Sequence, residues 1–185
     1  MLKKEMNHHV EFNECNDKVF IYIVDMSTIV KDTIKFWNCL SSEEKLQTNQ
    51  FYTKELIDRY IISHGILRCI LSFYSGQRPK DIQFIYNGYG KPFMTHERIQ
   101  FNMSHSHNMV CYIVAFDYQV GIDIELKNNS CDINNLLDLV LTNTEIKLFK
   151  NIESDSRIEL FYNFWTKKES LVKAMHLMQD DYNAE

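Results

Sequence analysis

Four apolar stretches, IQFIY at 82–86, IQFNMS at 99–104, MVCYIVAF at 109–116 and VGIDIE at 120–125, follow one another with no helical segment between them. A parallel neighbour needs a crossover of about a dozen or more residues, usually a helix, whereas an antiparallel neighbour needs only a turn. The gaps after 104 and 116 are too short for a crossover, and NGYGKPF at 87–93 carries the Asn-Gly turn signal. The expected fold class is therefore α+β with antiparallel pairing, not a doubly wound sheet.

Around this block the pattern is mostly helical. VFIYIVD at 19–25 reads as one more buried strand, and residues 1–16 carry little pattern and are expected to be mobile. Ser41 before Glu44 has capping-box spacing, and a longer helix is predicted from Lys54 to Tyr74, ended by Ser75-Gly76. After 125 the chain predicts a short helix over 133–141, a second capped by Thr142 and Glu145, and a third capped by Ser156 and Glu159 that runs to Met178. The change of pattern near 117–119 suggests two lobes, 1–118 and 119–185.

With 185 residues and 45% hydrophobic content the chain can bury one substantial core or two modest ones. The charged N-terminal stretch lacks a signal-peptide core and VFIYIV is too short to span a bilayer, so no membrane partner is expected. Five scattered cysteines without a C-x-x-C pair argue against a disulfide framework or structural zinc and fit a cytoplasmic location. A net charge of −5 disfavours general nucleic-acid binding, although a local basic cluster can still hold a phosphate.

VGIDIE then poses a specific problem. In an extended chain Val120, Ile122 and Ile124 share one face, and Gly121, Asp123 and Glu125 share the other. The two carboxylates stand roughly 6–7 Å apart at their Cα atoms, and such a pair needs a cation, a basic residue or bulk water beside it. FWTKKESLVKA at 164–174 poses a second one. Ile158, Tyr162, Trp165, Glu169 and Val172/Lys173 recur at helical spacing, so a carboxylate interrupts an apolar stripe one turn before a lysine. By itself this is either a solvated Glu169–Lys173 pair or a carboxylate held at a metal or phosphate.

VGIDIE followed by W-x-x-K-E-S-x-x-K, with YGKP at 89–92, FNMSHS at 101–106 and FYTKELIDRY at 51–60, resembles the signature blocks of the 4′-phosphopantetheinyl transferases, in particular the surfactin-synthetase-activating type. The resemblance implies transfer of the phosphopantetheine arm of coenzyme A to a serine of an apo acyl or peptidyl carrier protein, with Mg²⁺. It implies Asp123, Glu125 and Glu169 as metal ligands, Glu169 and Lys173 as catalytic groups, and Arg59, Gly90, Lys91, Pro92, Ser104, His105, Lys168 and Lys173 at the coenzyme. The implied fold is a two-lobed pseudo-dimer in which each lobe packs a small antiparallel sheet against helices.

Two departures accompany the resemblance. In SSEEKLQTNQ, Glu44 and Gln47 stand where relatives carry lysines for the 3′-phosphate, with Lys45 nearby and Arg59 on the next helix. Relatives also continue through several strands after the KES helix, whereas MHLMQDDYNAE follows Ala174, so the second lobe is expected to be incomplete and to be protected by self-association or by coenzyme A. The competing expectations are a truncated, non-catalytic relative that binds coenzyme A or a carrier protein, and a metal-dependent phosphohydrolase.

Overall fold

A computed structural model of the chain describes residues 8–14, 17–95, 98–128 and 133–175. In chain order the elements are β1 (His8–Glu14), β2 (Asp17–Asp25), α1 (Thr33–Trp37), α2 (Ser42–Gln47), α3 (Lys54–Ser75), β3 (Phe84–Tyr86), β4 (Pro92–Met94), β5 (Ile99–Ser106) and β6 (Met109–Phe116). They are followed by α4 (Leu137–Val140), α5 (Asn143–Lys150) and α6 (Ser154–Ala174). The α+β class is as expected, and every strand pair is antiparallel.

The main sheet has the order β1-β2-β6-β5, and β3 and β4 form a separate hairpin. One expectation is corrected at the N-terminus: His8–Glu14 is a strand, paired with β2 so that Val10 lies opposite Ile21 and Phe12 opposite Val19. The alternation of His8, Val10 and Phe12 with polar residues is short, and pairing with β2 covers what would otherwise be an open edge.

One face of the sheet is covered by α3. Tyr22, Val24, Phe101, Met103, Tyr112 and Val114 share a core with Ile62, Ile66, Leu67, Ile70 and Leu71, and burying each large aliphatic side chain contributes about 1.5–3 kcal/mol. The Tyr112 hydroxyl donates to the Ser63 carbonyl across this interface at 2.9 Å. Helix α3 starts where the Thr53 side chain accepts the Leu56 N–H and stops at Gly76, whose φ of +73° gives the left-handed cap. The Ser41/Glu44 and Thr142/Glu145 capping boxes are both present.

The opposite face is covered differently. Val120 and Ile122 pack on Ile113, Ala115, Val19 and Ile21, so the apolar half of VGIDIE does bury as its alternation predicts. The expected strand over 120–125, however, joins no ladder, and among the described residues 119–175 contributes no strand. Its polar backbone atoms are met largely by side chains of β5, as described below. Beyond it, Ile133, Leu137, Leu141, Phe149 and Phe161 form a small separate cluster that holds α4, α5 and α6 together.

Helix α6 begins at Ser154, without a side-chain cap from Glu153, and not after Ser156 as the spacing suggested. Ser156 and Glu159 therefore both lie inside the helix. It is described as far as Ala174, so the predicted end at Met178 lies outside the described residues. No helix among the described residues is long and apolar enough to cross a membrane.

Candidate functional site

The site begins with a glycine. A Cβ atom on Gly121 would stand 2.0 Å from the Ser170 carbonyl oxygen and 2.4 Å from the Ala174 nitrogen, both in the backbone of α6. The helix therefore lies directly on the chain at 121, an approach no other residue allows without displacement. It brings the last turn of α6 against the carboxylate segment.

Lys173 projects from that turn. Its ammonium donates to Asp123 Oδ1 at 3.0 Å and to Ser104 Oγ at 3.0 Å, while Ser104 Oγ donates to the same Asp123 oxygen at 2.9 Å. The Lys173 and Asp123 side chains are only 9% and 3% exposed, so this ion pair is held away from water. Burial of such a pair costs desolvation that good geometry and a third polar partner offset. One atom is left over: Asp123 Oδ2 is buried and has no hydrogen-bond partner among the described residues.

A second buried lysine fastens the same parts. Lys91 Nζ donates to the Val120 carbonyl at 2.9 Å and to the Lys173 carbonyl at 2.6 Å. It joins the carboxylate segment to the C-terminal turn of α6, where helix carbonyls lack intrahelical donors. The Asn87 side chain organises the turn that delivers it, accepting the N–H groups of Tyr89 at 2.9 Å and Lys91 at 3.0 Å. Gly90 supplies the positive φ of +82° that the turn requires, and Pro92 opens β4.

The β5 strand completes the frame. Asn102 Oδ1 accepts the Ile122 N–H at 2.9 Å, Ser106 Oγ accepts the Leu126 N–H at 3.0 Å, and the Ser106 hydroxyl donates to Glu125 Oε2 at 3.2 Å. Partial desolvation, on a side chain that keeps an exposed surface, and then the neighbouring Asp123 raise the Glu125 carboxyl above the ordinary range, against the hydrogen bond from Ser106, and Glu169 adds a smaller push in the same direction. Asn102 and Ser106 are functional candidates that sequence reasoning passed over. The polar residues at alternate positions in FNMSHS were the available signal.

The remaining expected residues lie elsewhere. Lys168 donates to the Val140 carbonyl at 2.6 Å and pairs with Glu145, which turns its ammonium toward the start of α5. Arg59 donates to Glu55 at 3.0 Å and to Asn108 at 3.4 Å, and lines a cavity of about 490 Å³ with Met26, Ser27, Lys54 and Asp58. None of the three carboxylates lines that cavity. His105 sits on β5 between Ser104 and Ser106, hence on the face toward α3, close enough that its charge acts on His64.

Comparison with known proteins agrees with this frame. The 4′-phosphopantetheinyl transferase superfamily profile matches residues 119–183. The 4′-phosphopantetheinyl transferase Sfp of Bacillus subtilis is 30% identical over 158 residues, covering 84% of this chain and 69% of Sfp. The chain belongs to the 4′-phosphopantetheinyl transferase family. The 4′-phosphopantetheinyl transferase HetI of Nostoc sp. is 33% identical over 139 residues, covering 73% of the chain and 59% of HetI. The transferase gsp of Aneurinibacillus migulanus is 34% identical over 143 residues, covering 75% of the chain and 59% of that relative. The chain thus spans about three fifths to two thirds of the length of these transferases.

Two features bear on a transferase cation. No three His, Cys, Asp or Glu side chains among the described residues converge as a ready-made metal cluster. Yet Asp123 presents a buried oxygen without a partner among the described residues, and Glu125 feels the fields of both Asp123 and Glu169. Mg²⁺ commonly binds through one or two carboxylates plus water and substrate phosphate, so these hard oxygen donors fit it without a closed cage. Glu44 is buried in the Ser41 capping box and paired with Arg68. Arg68 also donates to the carbonyls of Pro79 at 2.7 Å and Ile82 at 3.0 Å, so Glu44 serves the fold.

Proposed function

We propose that the chain transfers the 4′-phosphopantetheine arm of coenzyme A to a serine of an apo acyl or peptidyl carrier protein. The serine oxygen forms a bond to the phosphorus that bears the pantetheine arm. The bond from that phosphorus to the bridging oxygen of the pyrophosphate breaks. Adenosine 3′,5′-bisphosphate leaves with the electron pair, and the serine proton passes to a base.

The observation that carries this reading is the Asp123 carboxylate, buried with one oxygen held by Lys173 and Ser104 and the other without a partner among the described residues. An unpaired buried carboxylate oxygen is costly unless something binds it. Asp123, with Glu125 and Glu169, would hold Mg²⁺, which supplies positive charge to the pyrophosphate when bound. Glu169 accepts the serine proton. Lys173 holds Asp123 in place and offers its ammonium to the phosphates.

Gly90, Pro92, Ser104, His105 and Arg59 belong to the coenzyme side of the site in this reading, with lobes 1–118 and 119–185 contributing jointly, and Lys91 serves it from behind by tying the carboxylate segment to α6. Lys168 reaches a phosphate only by leaving Glu145 and the Val140 carbonyl. Calorimetric titration of coenzyme A, with and without Mg²⁺, tests the arrangement. Affinity should depend on Mg²⁺ in the wild-type chain and lose that dependence in Asp123→Ala. Equal wild-type affinity in the two conditions would remove the metal-linked reading.

A further inference from the structure

We propose that Asn102 and Ser106 are positioning residues that set the separation and orientation of the Asp123 and Glu125 carboxylates for a divalent cation; this inference rests on the transfer reading above. Asn102, Ser104 and Ser106 occupy alternate positions of β5 and so project from one face of the sheet. All three touch the carboxylate segment, in order. Asn102 Oδ1 receives the Ile122 N–H, Ser104 Oγ donates to Asp123, and Ser106 Oγ both donates to Glu125 and receives the Leu126 N–H.

The two chains run in the same direction at these contacts, because higher numbers on β5 meet higher numbers on the segment. Alternate residues of a strand are about 6.6 Å apart, and Ser104 and Ser106 stand at that pitch beneath two carboxylates that are likewise two residues apart. The strand therefore acts as a ruler. Because the segment lies over a sheet face, its N–H groups cannot reach β5 carbonyls in a ladder, and side-chain oxygens replace them. The register is consequently written in Asn102 and Ser106, and a backbone slip would break several bonds together.

A cation as small as Mg²⁺ demands oxygen ligands at about 2.0–2.1 Å in near-octahedral geometry, so it tolerates little error in carboxylate placement. Ser106 orients Glu125 through its hydroxyl, and its bond to the Leu126 N–H fixes the chain just beyond. Asn102 fixes the chain just before Asp123. Neither residue needs to touch the coenzyme or the cation for its loss to be felt.

The test uses Mn²⁺ as a paramagnetic probe, titrated into the full chain with coenzyme A present and followed by the electron paramagnetic resonance signal of the free ion. Ser106→Thr keeps the hydroxyl and Ser106→Val replaces it with a methyl of similar size, so the extra bulk is common to both. Ser106→Thr should bind Mn²⁺ within a few-fold of wild type, and Ser106→Val roughly 10–100-fold more weakly, the usual effect of removing a group that orients a metal ligand. Equal Mn²⁺ affinity of the Thr and Val variants overturns the positioning role alone. If the wild-type chain binds Mn²⁺ no better than Asp123→Ala, the cation reading itself falls, and this inference with it.

Discussion

Lys91 and Lys173 are joined side chain to backbone: the ammonium of the first donates to the carbonyl of the second at 2.6 Å, and also to the Val120 carbonyl at 2.9 Å. One buried charge thus ties the β3–β4 turn, the carboxylate segment and the last turn of α6. Lys91→Met keeps the length of the chain but leaves two buried carbonyls without their donor. We expect a loss of about 2–6 kcal/mol in urea unfolding, since each of the two unsatisfied buried groups costs roughly 1–3 kcal/mol. A change below about 0.5 kcal/mol, the range of ordinary surface substitutions, would show that neither bond matters.

Gly121→Ala should separate the same parts by collision. Its Cβ would meet the Ser170 carbonyl at 2.0 Å, and that atom belongs to helix backbone that cannot rotate aside. Overpacking of this kind costs typically about 1–3 kcal/mol. Because α6 carries Glu169 and Lys173, transfer should fall further than stability does. A folded Gly121→Ala chain with wild-type transfer would mean the close approach has no bearing on the site.

These two residues mark what the sequence could and could not convey. Antiparallel order followed from gaps too short for a crossover, and the Ser41/Glu44 and Thr142/Glu145 boxes were legible because capping depends on side chains three residues apart. Alternation correctly put Val120 and Ile122 toward a core. It could not say that the neighbouring N–H groups would be met by Asn102 and Ser106 instead of a ladder, because alternation reports faces and not bonding partners. Nor could it separate the lysines. Lys91, expected at a nucleotide, is buried as a tie between backbone carbonyls, and Lys168 is held by Glu145, because only the packing of α5 and α6 decides which way each ammonium turns. The short β1 strand, HHVEFNE, carries no hydrophobic run from which it could be read.

His64 makes stability depend on acid. Burial pushes its imidazole down to about 3 from the ordinary 6.5, while the ring stacks on Tyr60 at 3.9 Å. The unfolded chain then binds a proton below about pH 6.5 that the folded chain refuses, so stability falls as pH drops from 6.5 toward 3 and levels off below. The ring keeps partial exposure, so the slope from this group should lie below ~1.4 kcal/mol per pH unit. Urea midpoints between pH 7 and 4 should decline less steeply in His64→Gln. An unchanged slope would assign the acid sensitivity to other groups.

Cys39 and Cys69 lie with their sulfurs 3.4 Å apart. The hydrogen bond from Cys69 outweighs burial and, helped by Arg68 and Lys45, lowers the Cys39 thiol to about 7. A thiol so lowered is largely thiolate at pH 7.5 and should be alkylated readily. Timed iodoacetamide labelling followed by peptide mass mapping should find Cys39 ahead of Cys111, which is buried, and Cys69→Ser should slow it. Equal labelling of Cys39 in the Cys69→Ser chain would show that the pair does not set its reactivity.

Intact-mass measurement of the acceptor reads the transfer itself without intermediary. An apo carrier protein incubated with the chain, coenzyme A and Mg²⁺ should gain the mass of one phosphopantetheine arm on its serine. Glu169→Gln and Asp123→Ala should lower the rate by roughly 10²–10⁴-fold, as expected for loss of a general base or of the group that places the phosphates. An acceptor whose mass stays unchanged with every apo carrier class, fatty-acid, polyketide and peptide-synthetase, would contradict transfer by this chain, and wild-type rates in a folded Glu169→Gln chain would remove Glu169 from it.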